Sequence, residues 1–122
     1  MDYSILVIED NPDNQALVTW VLEDEDYDVT CSDNAERGIE ALVAGNYDAV
    51  LMDICLPGMD GKEATRIIRG MEKFKDVPIL ALTAHAMKEE EQLIMDSGVN
   101  ELVPKPLDID VLLTRLNFYL KK

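Results

Sequence analysis

Acidic residues stand where apolar runs stop. Glu9 and Asp10 follow Ile5-Leu6-Val7-Ile8 at once, and Asp53 follows Ala49-Val50-Leu51-Met52. Carboxylates fit poorly into strands, so acids at the ends of strand-like runs point to a site rather than to scaffold. In open parallel α/β sheets, ligands sit at the carboxyl ends of the strands. Carboxylates gathered there repel one another unless a cation neutralises them or one takes up a proton. Thr83 closes a further apolar run, and Lys105 lies just beyond Glu101-Leu102-Val103. Hard oxygen ligands select Mg²⁺ or Mn²⁺, and Mg²⁺ usually keeps waters and a phosphate oxygen beside one or two carboxylates. A lysine ammonium and a threonine hydroxyl suit the remaining oxygens of a phosphoryl group. A carboxylate can attack phosphorus and form an acyl phosphate, a transfer that asks mainly for positioning and charge neutralisation. Asp53, a single acid followed by a turn, is the better nucleophile; the adjacent pair Glu9 and Asp10 better suits holding a metal.

The elements that must position these groups alternate. Strand-like segments span Ile5–Glu9, Asp28–Cys31, Ala49–Asp53, Pro78–Thr83 and Glu101–Val103. Helical patterns span Asp13–Asp24, Ala35–Ala44, Gly61–Met71, Met87–Met95 and Ile109–Leu120. Strands spaced by helices read as repeated βαβ units and a parallel sheet. The continuously apolar runs Ile5–Ile8 and Ala49–Met52 fit strands covered on both faces. Asn11-Pro12 supplies a cap and a first-turn proline, Ser97-Gly98 a glycine stop, and Asp108 a cap for the last helix, where Ile109, Leu112, Leu113 and Leu116 recur at helical spacing. Leu56 to Gly61 is a turn directly after Asp53.

The chain of 122 residues reads as one domain over residues 1–122, able to bury a core without staples. Eleven basic against twenty-five acidic side chains give a net charge of −14, which repels phosphate backbones and anionic lipid. Neither direct nucleic-acid binding nor membrane binding is expected. No apolar run approaches the roughly 20 residues that span a bilayer, and the start lacks a basic signal-peptide region, so a cytoplasmic setting is expected. Cys31 and Cys55 lack zinc-like spacing and read as reduced, mostly packing residues. Trp20 and Phe118 read as packing too, and Lys88-Glu89-Glu90-Glu91 as a solvated helix face.

Together the motifs resemble a family. Val7-Ile8-Glu9-Asp10-Asn11, the stretch Leu51-Met52-Asp53-Ile54-Cys55-Leu56-Pro57-Gly58-Met59-Asp60-Gly61, Ala81-Leu82-Thr83-Ala84 and Lys105-Pro106 resemble the receiver domain of two-component response regulators over essentially the whole chain. Each is weak alone; their order and separations are specific. The resemblance implies a flavodoxin-like (βα)₅ α/β fold with a five-stranded parallel sheet of order 2-1-3-4-5. It implies that Asp53 accepts phosphate from a histidine kinase or histidine phosphotransfer protein. Mg²⁺ would be held by Glu9, Asp10, Asp53 and the backbone carbonyl of Cys55. Thr83 would be the switch hydroxyl and Lys105 the ion-pair partner of the phosphoryl group. The Lys105-Pro106 peptide would be cis, and His85, like Cys55, would border the phosphoryl group as a modulator. Such a domain is not an enzyme beyond catalysing its own phosphorylation and dephosphorylation, and it passes its signal to an effector protein or domain. It would be a monomer or a weak phosphorylation-dependent dimer.

Leu102 departs from the family's pattern, because many receivers carry an inward-swinging tyrosine or phenylalanine there. The signal then travels through the helix 4–strand 5–helix 5 surface in another way, or the domain relays phosphate. Other functions fit less well. Haloacid dehalogenase-type phosphatases typically carry a second aspartate two residues after the nucleophile, where this chain has Cys55. An FMN binder would cradle phosphate with a first loop that here reads Glu9-Asp10-Asn11-Pro12-Asp13, and no nucleotide-binding glycine motif occurs. A phosphate-independent interaction domain would not need Asp53, Thr83 and Lys105 together.

Overall fold

The computed structural model describes residues 3–84, 87–105 and 107–120. Five strands, β1 (Ser4–Ile8), β2 (Asp28–Ser32), β3 (Ala49–Asp53), β4 (Ile79–Thr83) and β5 (Glu101–Pro104), alternate with helices. The helices are α1 (Pro12–Asp24), α2 (Ala35–Ala44), α3 (Gly61–Arg69), α4 (Lys88–Asp96) and α5 (Ile109–Leu120). All pairings are parallel, in the order β2-β1-β3-β4-β5.

Side-chain alternation along the strands divides the core. Leu6, Ile8, Val50, Met52, Ile79 and Ala81 face α2, α3 and α4, joining Leu42, Ala64, Ile68 and Ile94. Ile5, Val7, Ala49, Leu51, Leu80, Leu82 and Val103 face α1 and α5, joining Val18, Leu22, Leu112, Leu116 and Leu120. The central strands are thus buried on both sides, as their unbroken apolar runs require.

The register sets the site. Ile8 lies opposite Met52, Met52 opposite Ala81, and Ala81 opposite Leu102. The residues that follow this row, Glu9 and Asp53, therefore emerge side by side at one sheet edge. Caps aim the chain away from it. Asn11 accepts hydrogen bonds from the amides of Asp13 and Asn14 at 2.9 and 3.1 Å, with Pro12 in the first turn. Asp60 accepts from Glu63 at 2.9 Å, and Asp108 from Asp110 and Val111 at 3.0 and 3.2 Å. Gly98, at φ +113°, ends α4 in the left-handed region.

Several expectations shift. The first strand starts one residue earlier and stops at Ile8, leaving Glu9 outside it. The third helix stops at Arg69, and a short 3₁₀ turn, Glu72–Phe74, follows. There the Arg69 guanidinium leaves the helix to donate to the carbonyls of Gly98 and Phe74 at 2.9 and 2.8 Å and to Asn100 Oδ1 at 2.7 Å. Trp20 and Phe118 are not packing residues; they are 68% and 74% exposed. Each helix already fills its core-facing stripe, α1 with Val18, Val21 and Leu22, α5 with Leu112, Leu116 and Leu120. Both cysteines are exposed too: Cys31 lies on the edge strand β2 and Cys55 in the turn after β3.

Among the glycines, Gly61 makes the closest approach to backbone. A Cβ there would lie 2.6 Å from the Asp53 carbonyl oxygen and 2.8 Å from Ile54 Cα, and backbone cannot swing aside as a side-chain tip can. Gly61→Ala should therefore lower unfolding free energy by about 1–3 kcal/mol in denaturant titration, despite alanine's better helix propensity. Unchanged stability would show that the turn holding Asp53 yields freely.

Candidate functional site

Strand ends and loops deliver three carboxylates to one point. Oxygens of Glu9, Asp10 and Asp53 lie within 4.8 Å of one another. Glu9 and Asp53 are almost wholly buried, 1% and 3% exposed, whereas Asp10 is exposed. Lys105 reaches in from beyond β5. Its Nζ stands 3.2 Å from Glu9 Oε1 and 3.3 Å from Asp53 Oδ1, and its amide is fixed to the Thr83 carbonyl at 2.7 Å.

Each of the two buried acids has a backbone tether. The Asn11 amide donates to Glu9 Oε2 at 3.3 Å, and the Cys55 amide to Asp53 Oδ1 at 3.0 Å. Gln15 Nε2 donates to the Glu9 carbonyl from the first turns of α1. Thr83 is buried at the end of β4. Its position continues the alternation of Ile79 and Ala81, the face on which Ile94 of α4 packs.

One ammonium does not balance this cluster. Burial first, then the hydrogen bond and charge of Asp53, push the Glu9 carboxyl up to about 7, and the attraction of Lys105 is the weakest influence on it. Partial burial alone would lower the Lys105 ammonium, but Asp53 and Glu9 reverse that and raise it. Three carboxylates and one ammonium carry a formal charge of −2 when all are ionised. A divalent cation with oxygen preference fits that deficit and that donor set.

The sequence-predicted residues Glu9, Asp10, Asp53 and Lys105 are thus brought together, with Thr83 at the adjacent strand end. The Cys55 backbone sits beside Asp53; its thiol, in an exposed residue, is pushed up first by partial desolvation and next by Asp53. Leu102 is half-buried and packs against the cluster containing Ile94 and Ala81. His85 and Pro106, with the Lys105-Pro106 peptide, lie outside the described residues. Sequence reasoning missed Gln15, whose only signal is its place on the first turns of α1. It also missed Lys62, which pairs with Glu90 at 3.0 Å, so the Lys88–Glu91 stretch is not wholly a solvated face.

With this geometry in hand, the likeness to known proteins is specific. A model of the response regulator receiver domain matches residues 5–117. The chain belongs to the receiver-domain family. Its relatives place that family's phosphoacceptor role in two-component signalling. It is 39% identical over 106 residues to the sensor protein GacS of Pseudomonas syringae pv. syringae, covering 84% of this chain. It is 35% identical over 113 residues, 92% of this chain, to the CAI-1 autoinducer sensor kinase/phosphatase CqsS of Vibrio cholerae. The chain spans only 12% and 16% of the lengths of these two proteins. The receiver domain of sensor histidine kinase PA1611 from Pseudomonas aeruginosa superposes over 100% of both chains, with a TM-score of 0.93 and 34% identity. That structure has a magnesium ion coordinated in its active site cleft.

The electrostatics make a pH prediction. Glu9 binds a proton more tightly in the native chain than at its ordinary value of 4.5. The stability it contributes is fully present below that value and is lost as pH rises toward about 7. Melting temperature measured in a chelator should therefore fall from about pH 5 to pH 7. Glu9→Gln should remove the decline, and saturating Mg²⁺ should flatten it. A decline of equal size in Glu9→Gln would assign it elsewhere.

Proposed function

We propose that Asp53 is the phosphoacceptor, taking its phosphoryl group from a phosphohistidine on a sensor kinase or phosphotransfer protein. The carrying observation is the meeting of Glu9, Asp10 and Asp53 within 4.8 Å, with Lys105 bridging the two buried acids. An Asp53 carboxylate oxygen attacks phosphorus as the P–N bond to the donor imidazole breaks. The imidazole nitrogen keeps the electron pair and takes up a proton. Lys105 and Thr83 receive phosphoryl oxygens, ammonium by charge and hydroxyl by hydrogen bond. Glu9, Asp10, Asp53 and the Cys55 carbonyl would hold Mg²⁺, which would supply the remaining charge neutralisation, and the same oxygen donors would accept Mn²⁺. The domain would be no enzyme in the sense of turning over a separate substrate.

A cleft of about 410 Å³ lined by Asn14, Leu17, Ala84, Lys105 and Leu107 opens beside the site. It gives a donor protein apolar surface next to Lys105, continued along α1 by the exposed Leu17 and Trp20. Among the described residues no helix is long and apolar enough to cross a membrane. The reading favours a cytoplasmic setting, where kinases and effectors meet it.

Half-burial of Leu102 puts an aliphatic side chain where an aromatic switch would stand. Phosphorylation replaces the single charge of the Asp53 carboxylate with an acyl phosphate of about −1.5 to −2, and the change is then transmitted through Thr83 and the α4–β5–α5 surface to an effector. Incubation with a small acyl phosphate and Mg²⁺ should add one phosphoryl mass by intact mass spectrometry. Chelation or Asp53→Asn should abolish the gain. A gain that survives in Asp53→Asn would move the acceptor elsewhere.

A further inference from the structure

A second ion pair lies beside the first. Lys62 Nζ, on the first turn of α3, stands 3.0 Å from Glu90 Oε1 on the first turn of α4, and the two side chains are only 19% and 30% exposed. A cation gains nothing from the amino end of its own helix, where the backbone dipole opposes it. Lys62 is therefore placed by acids outside α3. Gly61, its neighbour, already presses on the Asp53 backbone. The Cys55 thiol, in the turn after Asp53, feels the charges of Asp53 and Lys105 and also those of Glu90 and Lys62. Both ion pairs thus act on one turn.

Among the described residues, little else fastens the amino half of α4. Its only buried described residue is Ile94, in the last turns. Met87 caps the helix without a side-chain hydrogen bond, and Met87, Leu93 and Met95 are exposed. The Gln92–Asp96 hydrogen bond stays within the helix. Lys62–Glu90 is the described side-chain tie from this end to the body of the domain.

We propose that the Lys62–Glu90 pair is a charge-sensitive latch holding the amino end of α4 to α3, and that phosphorylation of Asp53 loosens it. This rests on Asp53 being the acceptor. The acyl phosphate carries about −1.5 to −2 charges where the carboxylate carried −1, a net gain of up to about one negative charge. The new charge draws Lys62 and repels Glu90, so both effects weaken the same bond. Chemistry at β3 reaches α4 by this route without an aromatic side chain at position 102.

Amide hydrogen exchange of Glu91–Asp96 tests it on the full chain, with phosphoryl occupancy checked by mass. In the unphosphorylated chain, Glu90→Gln and Lys62→Met should each raise exchange about two- to fivefold, the scale of a partly exposed pair. Phosphorylated wild type should show a similar rise, and phosphorylated Lys62→Met no further rise. Unchanged exchange in Glu90→Gln, or in wild type whose phosphoryl mass is confirmed, overturns the latch alone. If no phosphoryl mass appears on wild type, the acceptor assignment and the latch fall together.

Discussion

Two carboxylates are held face to face in a nearly dry strand-end pocket with one ammonium between them. That frustrated charge is what the rest of the structure depends on. Glu9 and Asp53 are buried as deeply as core leucines, and Lys105 touches both. One positive charge cannot satisfy two buried negatives, so Glu9 retains a proton to about neutral pH. A proton, a divalent cation or a phosphoryl–cation pair can each relieve the strain. The chemistry of the site is competition among them.

The fold holds this unfavourable arrangement because its cost is met elsewhere. Two aliphatic layers sandwich β1, β3 and β4, whose side chains are buried without interruption from Ile5 to Ile8 and from Ala49 to Met52. The parallel register leaves no freedom about where Glu9 and Asp53 emerge. Gly61 lets α3 begin against the Asp53 carbonyl. Backbone amides of Asn11 and Cys55 then fix the two carboxylates. Rigidity on this side contrasts with α4, which has a single buried anchor. The added charge of phosphorylation therefore has a stiff acceptor and a yielding neighbour.

Much of this was legible in the sequence because it is written in local chemistry. Apolar runs that stop at acids locate both the strands and the site, and Asn11-Pro12, Ser97-Gly98 and Asp108 mark the helix ends by capping. What stayed hidden depends on three-dimensional neighbours. Trp20 and Phe118 resemble core residues in composition, but their helices already present a full apolar stripe on the other side. Lys62 and Glu90 are separated by 28 residues, and neither belongs to a local pattern that announces a pair. α3 ends early at Gly70, and beside it the Arg69 guanidinium is held by the carbonyls of Gly98 and Phe74. No spacing rule contains that contact.

The claim that mutual repulsion poises the site is tested most directly by thermal melts of wild type and Asp53→Asn at about pH 8, above the value of about 7 to which the Glu9 carboxyl is raised. In a chelator, the variant should melt above wild type, because one buried charge is gone while Lys105 keeps Glu9. In saturating Mg²⁺ the order should reverse, because only wild type offers the full set of carboxylates to the cation. Asp53→Asn melting below wild type in the chelator would contradict the account. It would mean that the Lys105 bridge outweighs the repulsion, and that Asp53 belongs to an already satisfied ion pair.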